Sequence, residues 1–283
     1  LFRSALNGRF GFSCIEFLRK ILGIKKLSGY YDAICDDNKG ADFAGALLRK
    51  MDVDFRISGA DRLRNLPQGP FITVSNHPYG AIDGIILIDL IGHLRPEFKV
   101  MVNEFLSVIE ALTPSMIMVN PKTAINNSVS SQNLSGVREV LSRLHDGHTI
   151  GFFPSGAVSD LHLKDGKIYD REWQEPVIRL IKKAKVPIVP IRFFGRNSLF
   201  FYLLGLIDWK ARVIRLPHEL VNKKGTNIFI GVDETISVER QDEYSDLEAF
   251  GKMLRESVYG IKQEKATVLY SEFLKGTIQG DVS

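Results

Sequence analysis

The sequence has little cysteine and no long apolar run. Cys14 and Cys35 are the two cysteines among its 283 residues, and their spacing is not that of a metal site. So few cysteines favour a reducing compartment over a disulfide framework. No apolar stretch reaches the roughly 20 residues that a helix needs to span a bilayer. Neither a disulfide-stapled domain nor a transmembrane helix is therefore expected.

The charge balance is only mildly basic. The formal net charge is +4 and the pI is about 8.9. This is not typical of a dedicated nucleic-acid binder, so no nucleic-acid partner is expected. An anionic partner fits better: a membrane surface, an acidic carrier protein or a phosphate-bearing substrate. The histidines other than His77 are scattered without metal-ligand spacing, and no metal is expected.

The beginning of the chain has a composition of its own. Over residues 1–27, aromatic and aliphatic side chains are interleaved with lysine and arginine, and Glu16 is the one acidic residue. This pattern predicts an amphipathic helix that either lies in a membrane interface or packs on the main domain. We therefore divide the chain into an N-terminal helical, membrane-interface segment, residues 1–50, and a main domain, residues 51–283.

Strand and helix patterns alternate from residue 71 to about 195, which predicts an α/β domain with a mostly parallel central sheet flanked by helices. The expected strands are residues 53–58, 71–74, 98–102, 115–119, 149–153, 186–191 and 227–232. The expected helices are residues 43–51, 85–91, 103–111, 137–144, 177–184 and, at the end of the chain, 247–262. Residues 123–135 are polar and are expected to form a loop over the site or the start of a helix.

The stretch 71–84 carries the most chemistry. A buried strand breaks into turn residues at His77, and a helix begins near Asp83, so both side chains lie at the carboxyl end of a strand, where α/β proteins bind ligands. Pro78 and Gly80 allow the chain to turn Asp83 back toward His77. A histidine oriented by a carboxylate is a general base with a fixed tautomer. Alternatively, His77 caps the strand end and Asp83 is a plain helix cap.

Four blocks in order make the pattern recognisable. They are Asn76, His77 and Asp83; residues 115–120; residues 153–159; and residues 186–191. Over residues 55–235 the chain resembles the PlsC-like lysophospholipid and glycerolipid acyltransferases. That resemblance implies a PlsC-like fold and an O-acyltransferase that moves a fatty acyl group from an acyl thioester, acyl-ACP or acyl-CoA, to a lyso-lipid hydroxyl.

The resemblance also implies the site residues. His77 and Asp83 match the catalytic block, in which the histidine deprotonates the acceptor hydroxyl and the aspartate orients it. The implied substrate-binding residues are Asn76, Tyr79, Gly80, Asn120, Phe153, Pro154, Ser155, Gly156, Ser159 and Arg196. Backbone N–H groups near Gly156 or Gly84 are candidates for the oxyanion site. No bound cofactor is implied, and the expected location is peripheral, on the cytoplasmic face of the inner membrane.

Three departures from the family pattern concern the acceptor. Five residues separate His77 from Asp83, where four are usual, and Ser155 and Val158 replace the glutamate and arginine of the third block. Asn120 stands where a basic residue often closes the second. These substitutions remove side chains that contact a phosphate in the family. With them, the sequence resembles the hemolysin-like branch, which includes the ornithine and glycine lipid O-acyltransferases. The implied acceptor is an N-(3-hydroxyacyl) amino-acid lipid.

Other interpretations remain open at this point. One is a lysophosphatidate-forming or lysophospholipid acyltransferase, and another is a lipid esterase with Ser155 as nucleophile, although the Gly-x-Ser-x-Gly elbow is missing. A third is a lipid-binding protein without catalysis. The apolar run 199–207 is too short to span a membrane and either enters the interface, lines an acyl tunnel or packs in the core. Lys182, Lys183 and Lys185 form a solvated helix face or meet an acidic carrier protein.

Overall fold

A computed structural model describes residues 22–103, 109–119 and 131–280 of the chain. Its strands are β1 (Asp54–Ser58), β2 (Ile72–Ser75), β3 (Lys99–Asn103), β4 (Met116–Val119), β5 (Ile150–Phe152), β6 (Asp160–His162), β7 (Lys167–Tyr169), β8 (Ile188–Phe194), β9 (Asn227–Val232) and β10 (Val268–Leu269). Its α-helices are α1 (Ile24–Asp32), α2 (Gly40–Lys50), α3 (Ala60–Arg64), α4 (Ala81–Leu94), α5 (Ser131–His145), α6 (Glu175–Ala184), α7 (Leu199–Ile207), α8 (Trp209–Val221), α9 (Val238–Asp242), α10 (Leu247–Gly260) and α11 (Tyr270–Gly280).

Eight of the described strands form one sheet, in the order β10-β1-β9-β8-β2-β5-β3-β4. The pairs β10–β1 and β8–β9 are antiparallel, and the other neighbours are parallel. Strands β6 and β7 form a separate antiparallel hairpin. The predicted α/β class with a mostly parallel sheet is confirmed. Since β5, β2 and β8 run parallel side by side, the residues that follow them meet at one edge of the sheet.

Each face of the sheet has its own apolar core, which explains why a central strand such as β2 is buried along its whole length. On one face, Ile86 of α4 and Phe43 of α2 pack with Phe193 of the sheet. On the other face, Phe152 of the sheet packs with Phe250 of α10 and with residues of α5 and α6. Helix α4 is apolar almost all round and lies buried between the sheet and α2.

One sequence prediction about a helix was wrong, and a second was wrong at the two ends that the structure describes. The helix expected over 247–262 does not end the fold: α10 is followed by β10 and α11, and the fully buried Phe273 anchors α11 in the core. The helix expected over 103–111 falls partly on residues 104–108, outside the described ranges, and Glu110–Ser115 is a 3₁₀ helix containing Pro114. Strand β10 has two residues, and the 3₁₀ helix at Glu110–Ser115 contains a proline. Both are too short to produce a hydrophobic periodicity that could be recognised in the sequence.

The division at residue 50 stays a prediction, because residues 1–21 lie outside the described ranges. Helix α2, which precedes that boundary, packs in the same core as the sheet through Phe43, Leu47 and Leu48. Within the ranges that the structure describes, every helix is too short or too polar to cross a membrane.

Candidate active site

The side chain of Asn76 continues the sheet for one residue beyond the end of β2. Its Nδ2 donates to the carbonyl of Phe193, 2.9 Å away, and its Oδ1 accepts from the Phe193 N–H at 2.7 Å. This is the bonding pattern of a strand neighbour, made by an amide side chain instead of the backbone. Asn76, predicted to bind substrate, has both amide atoms engaged by β8. Asn76 therefore holds the end of β2 against β8 immediately before the turn at His77.

His77 and Asp83 meet across that turn. His77 Nδ1 lies 3.0 Å from Asp83 Oδ2, which also accepts the backbone N–H groups of Tyr79 and Gly80 at 2.9 Å each. The Asp83 side chain is fully buried, whereas 19% of the His77 side chain is exposed. The predicted proximity is therefore confirmed. The two interpretations of Asp83 are also compatible, because one oxygen both closes the first turn of α4 and faces the imidazole.

The electrostatics of this pair follow from burial and hydrogen bonding. Removal from water raises the pKa of the Asp83 carboxyl, and the hydrogen bonds from His77, Tyr79 and Gly80 oppose that rise. If the proton of the neutral ring is on Nδ1, which faces the carboxylate at 3.0 Å, the lone pair lies on Nε2 of His77. The ring of Phe153 packs on the imidazole with 4.2 Å between centroids. A partly exposed imidazole with a fixed tautomer is suited to remove a proton from a bound hydroxyl.

Gly80 makes the turn possible. Its φ of 89° and ψ of −113° lie in a region that side chains with a Cβ rarely adopt. A Cβ at this position would come within 3.0 Å of side-chain atoms of Leu216 and Val158. The neighbouring Tyr79 hydroxyl donates to the carbonyl of Phe194 at 2.7 Å, and burial raises the pKa of that hydroxyl. Gly80 and Tyr79, predicted to bind substrate, thus shape the turn around the histidine.

The third block lies beside the histidine, and its polar groups are engaged within the protein. The Ser155 side chain is fully buried and its hydroxyl donates to the Ala157 carbonyl at 2.7 Å. The Gly156 N–H donates to the Phe153 carbonyl at 2.9 Å, so it is not a free oxyanion donor in this conformation. Pro154 is buried as well. This arrangement does not present Ser155 as a nucleophile.

Asp170 is a functional candidate that the sequence did not indicate. It is fully buried, and its Oδ1 accepts the His77 backbone N–H at 3.1 Å and the Ser159 hydroxyl at 2.6 Å. Its Oδ2 accepts the indole N–H of Trp173 at 3.2 Å. The Ser159 N–H in turn donates to the His77 carbonyl at 2.9 Å. Both backbone groups of His77 are therefore fixed, the carbonyl by the end of the third block and the N–H by Asp170 in the segment that follows it. No local motif marks Asp170 for this role.

The remaining predicted residues lie at the rim or outside the described ranges. Arg196 is exposed, and its carbonyl accepts from the buried Lys223 ammonium at 3.0 Å. That ammonium lies 4.8 Å from the centroid of the Tyr79 ring, and burial lowers its pKa while Glu219 and Asp83 oppose the shift. Asn120 falls outside the described residues. Across the described ranges, His, Cys, Asp and Glu side chains form no group of three or more that could hold a metal ion.

Comparison with known sequences adds three findings. The acyltransferase family matches residues 10–270. A lyso-glycine lipid O-acyltransferase of Bacteroides thetaiotaomicron is 30% identical over 193 residues, which are 68% of this chain and 66% of that protein, slightly under two thirds of its length. A lyso-glycine lipid O-acyltransferase of Phocaeicola vulgatus is 27% identical over 228 residues, 78% of this chain and 77% of that protein.

Among solved structures, the 1-acyl-sn-glycerophosphate (LPA) acyltransferase PlsC from Thermotoga maritima matches with a TM-score of 0.48 and 17% identity, over 76% of this chain and 78% of that chain. The family match includes the His77–Asp83 turn, the third block and all eight strands of the sheet. Since it extends over most of the sequence, the chain belongs to the acyltransferase family of enzymes.

Proposed function

We propose that the chain transfers a fatty acyl group from an acyl thioester to the hydroxyl of a lyso-lipid, with His77 as general base. The observation that carries this proposal is the contact between His77 Nδ1 and the buried carboxylate of Asp83, 3.0 Å apart, beside a partly exposed imidazole. Membership of the acyltransferase family supports the reaction class.

The mechanism needs no covalent enzyme intermediate. His77 Nε2 takes the proton of the acceptor hydroxyl as its oxygen attacks the thioester carbon, and Asp83 stabilises the imidazolium that forms. When the tetrahedral intermediate collapses, the C–S bond breaks, the new ester remains on the lipid, and the imidazolium returns its proton to the leaving thiolate. Such a base typically accelerates a reaction by about 10²–10⁴-fold.

The acceptor that we propose is an N-(3-hydroxyacyl) amino-acid lipid, with glycine ahead of ornithine as the head group. Two relatives bear the name lyso-glycine lipid O-acyltransferase, which supports glycine. The third block supports an acceptor without a phosphate, because Ser155 and Val158 are buried and carry no charge. A phosphate is usually bound by arginine or lysine.

The donor, acyl-ACP or acyl-CoA, is left to experiment. The lysines at the end of α6 give little support to the proposal that an acyl carrier protein binds there, because two of them are engaged within the protein. Lys182 Nζ donates to the carbonyls of Tyr244 and Ser245, and Lys185 pairs with Asp242. Peripheral association with the cytoplasmic face of the inner membrane is part of the proposal, since the proposed acceptor is a lipid.

The experiment is acyl transfer with purified protein, read by mass spectrometry. Acyl-ACP and acyl-CoA are supplied in parallel, each with N-(3-hydroxyacyl)glycine, N-(3-hydroxyacyl)ornithine, lysophosphatidate or glycerol 3-phosphate. We expect the acylated glycine lipid from the wild type and none from His77→Ala. The matched variant Ser155→Ala should retain transfer. Acylation of the phosphate acceptors alone would overturn the proposed acceptor, and full activity of His77→Ala would overturn the mechanism.

A further inference from the structure

The consecutive helices α7 and α8 expose large apolar side chains on one side of the protein. Helix α7 carries no charged residue over its nine positions. Two of its residues, Phe201 and Tyr202, face inward and form a small core with Val158. We call the outward side chains the α7–α8 surface: Leu199, Phe200, Leu203, Leu206, Ile207, Trp209 and Ile214.

This exposure is unusual for a surface helix. Ile207 is 83% exposed and Trp209 is 61% exposed. The outward residues of α7 recur at helical spacing, where a helix on a protein surface normally presents polar side chains. Exposed apolar side chains clustered on one helix face typically mark an interaction site. At about 1.5 Å per residue, α7 is about 13 Å long, so it is too short to span a bilayer and can only lie along its surface.

Cations stand among these apolar groups. The exposed Lys210 ammonium lies 5.9 Å from the centroid of the Trp209 ring. The Arg215 guanidinium carbon lies 4.7 Å from the centroid of the Phe200 ring, but the Arg215 side chain is only 18% exposed and its Nε faces the buried Glu219 carboxylate at 3.4 Å. Asp208 lies between the two helices, and its side chain caps α8 by accepting a hydrogen bond from the backbone N–H of Lys210. Aromatic and aliphatic side chains interleaved with basic ones are the composition of a helix that lies in an anionic lipid interface.

The charge of this surface favours a lipid occupant over the basic beginning of the chain. Residues 1–21 contain four basic residues and one acidic residue, and they would meet the exposed Lys210 with like charge. An anionic bilayer complements the surface in both its apolar and its basic groups.

The surface is tied to the candidate active site. The Tyr202 hydroxyl donates to the Pro78 carbonyl at 3.3 Å, next to His77. On the inner side of α8, the buried Arg212 pairs with Asp160 and donates to the Ser159 carbonyl at 3.4 Å. We propose that the α7–α8 surface inserts into the interface of an anionic membrane and holds the His77 turn next to the lipid. This inference rests on the proposed membrane association, but binding can be measured without turnover.

The test is flotation with vesicles of phosphatidylethanolamine and phosphatidylglycerol. The triple variant Leu203→Gln, Ile207→Gln, Trp209→Gln should bind roughly 10–100-fold more weakly, because three exposed apolar side chains are lost from the interface. Lys210→Gln should weaken binding about fivefold. The matched control Lys252→Gln makes the same change of charge on α10, which packs on the opposite face of the sheet, and should bind as the wild type does.

A second measurement reports the depth of insertion. Brominated lipids should quench Trp209 in the wild type. Trp209→Phe should remove that quenching, because the other tryptophan, Trp173, is half-buried and donates its indole N–H to Asp170. Activity on detergent-dispersed lyso-lipid should survive the triple variant, which separates this inference from the proposed reaction. Unchanged vesicle binding by the triple variant, no flotation of the wild type, or a change from dimer to monomer in the variant would each overturn it.

Discussion

The backbone N–H of His77 donates to Oδ1 of Asp170, 3.1 Å away and 93 positions later in the chain. Two buried carboxylates therefore hold one histidine. Asp83 faces the imidazole, and Asp170 fixes the main chain that carries it. A general base must be held in place as firmly as it is oriented, since small displacements lower the rate sharply.

We expect Asp170→Asn to lower kcat by roughly tenfold, because an amide offers one acceptor oxygen where the carboxylate serves three donors. Loss of a buried acceptor should also lower the unfolding free energy by about 1–3 kcal/mol. Steady-state kinetics and thermal unfolding measure the two effects. Asp165→Asn, in the exposed turn of the β6–β7 hairpin, is the matched control. A variant with unchanged kcat would mean that Ser159 alone fixes His77.

Asp83→Asn should reduce both activity and stability. We expect the rate to fall by about 10²–10⁴-fold, because the amide no longer stabilises an imidazolium at His77. The buried oxygen also serves Tyr79 and Gly80, so the unfolding midpoint should drop as well. Comparison with His77→Ala separates the effects, because that variant should lose activity and keep its first turn of α4. Equal melting temperatures for Asp83→Asn and the wild type would contradict the capping role.

Gly80→Ala should destabilise the protein by about 1–3 kcal/mol, since the residue has a positive φ and a Cβ would crowd Leu216 and Val158. The distorted turn should also impair activity. Gly84→Ala is the control within the same helix, because a Cβ there meets nothing within 4 Å. We expect it to be neutral or to stabilise the helix by about 0.5–1 kcal/mol. Chemical denaturation of both variants provides the comparison.

His93 predicts a pH dependence of stability. Its Nδ1 lies 3.0 Å from the buried Asp89 carboxylate, which together with Asp42 raises the pKa of His93 to about 9. A raised pKa stabilises the fold fully below the unfolded value of about 6.5, and this stabilisation is lost as the pH rises through about 9. After allowance for solvent screening we expect a loss of about 1 kcal/mol.

Denaturation at pH 6 and pH 9.5 measures that loss. His93→Gln should show a smaller decrease between the two pH values than the wild type, because it has no proton to release. An identical decrease in both proteins would assign the pH dependence to other groups.

The centre of the fold was predictable because its signals are local. The strand, turn and helix around His77 show in an apolar run, turn residues and a second apolar run, and the pairing with Asp83 follows from the turn. Polar residues after strands were less informative. Asn76, Ser155 and Ser159 satisfy backbone or buried side-chain groups, and sequence alone does not separate that use from ligand binding. Asp170 was missed because its partner lies far away in the chain.

The sharing of one Asp83 oxygen between a helix and an imidazole has a consequence for judging related sequences. A descendant that abandoned acyl transfer would still need an acceptor for the two amides that open α4, so folding alone would preserve its aspartate. The imidazole ring of His77 has no comparable structural role. The presence of the histidine, and not of the aspartate, therefore distinguishes a catalytically active relative from an inactive one.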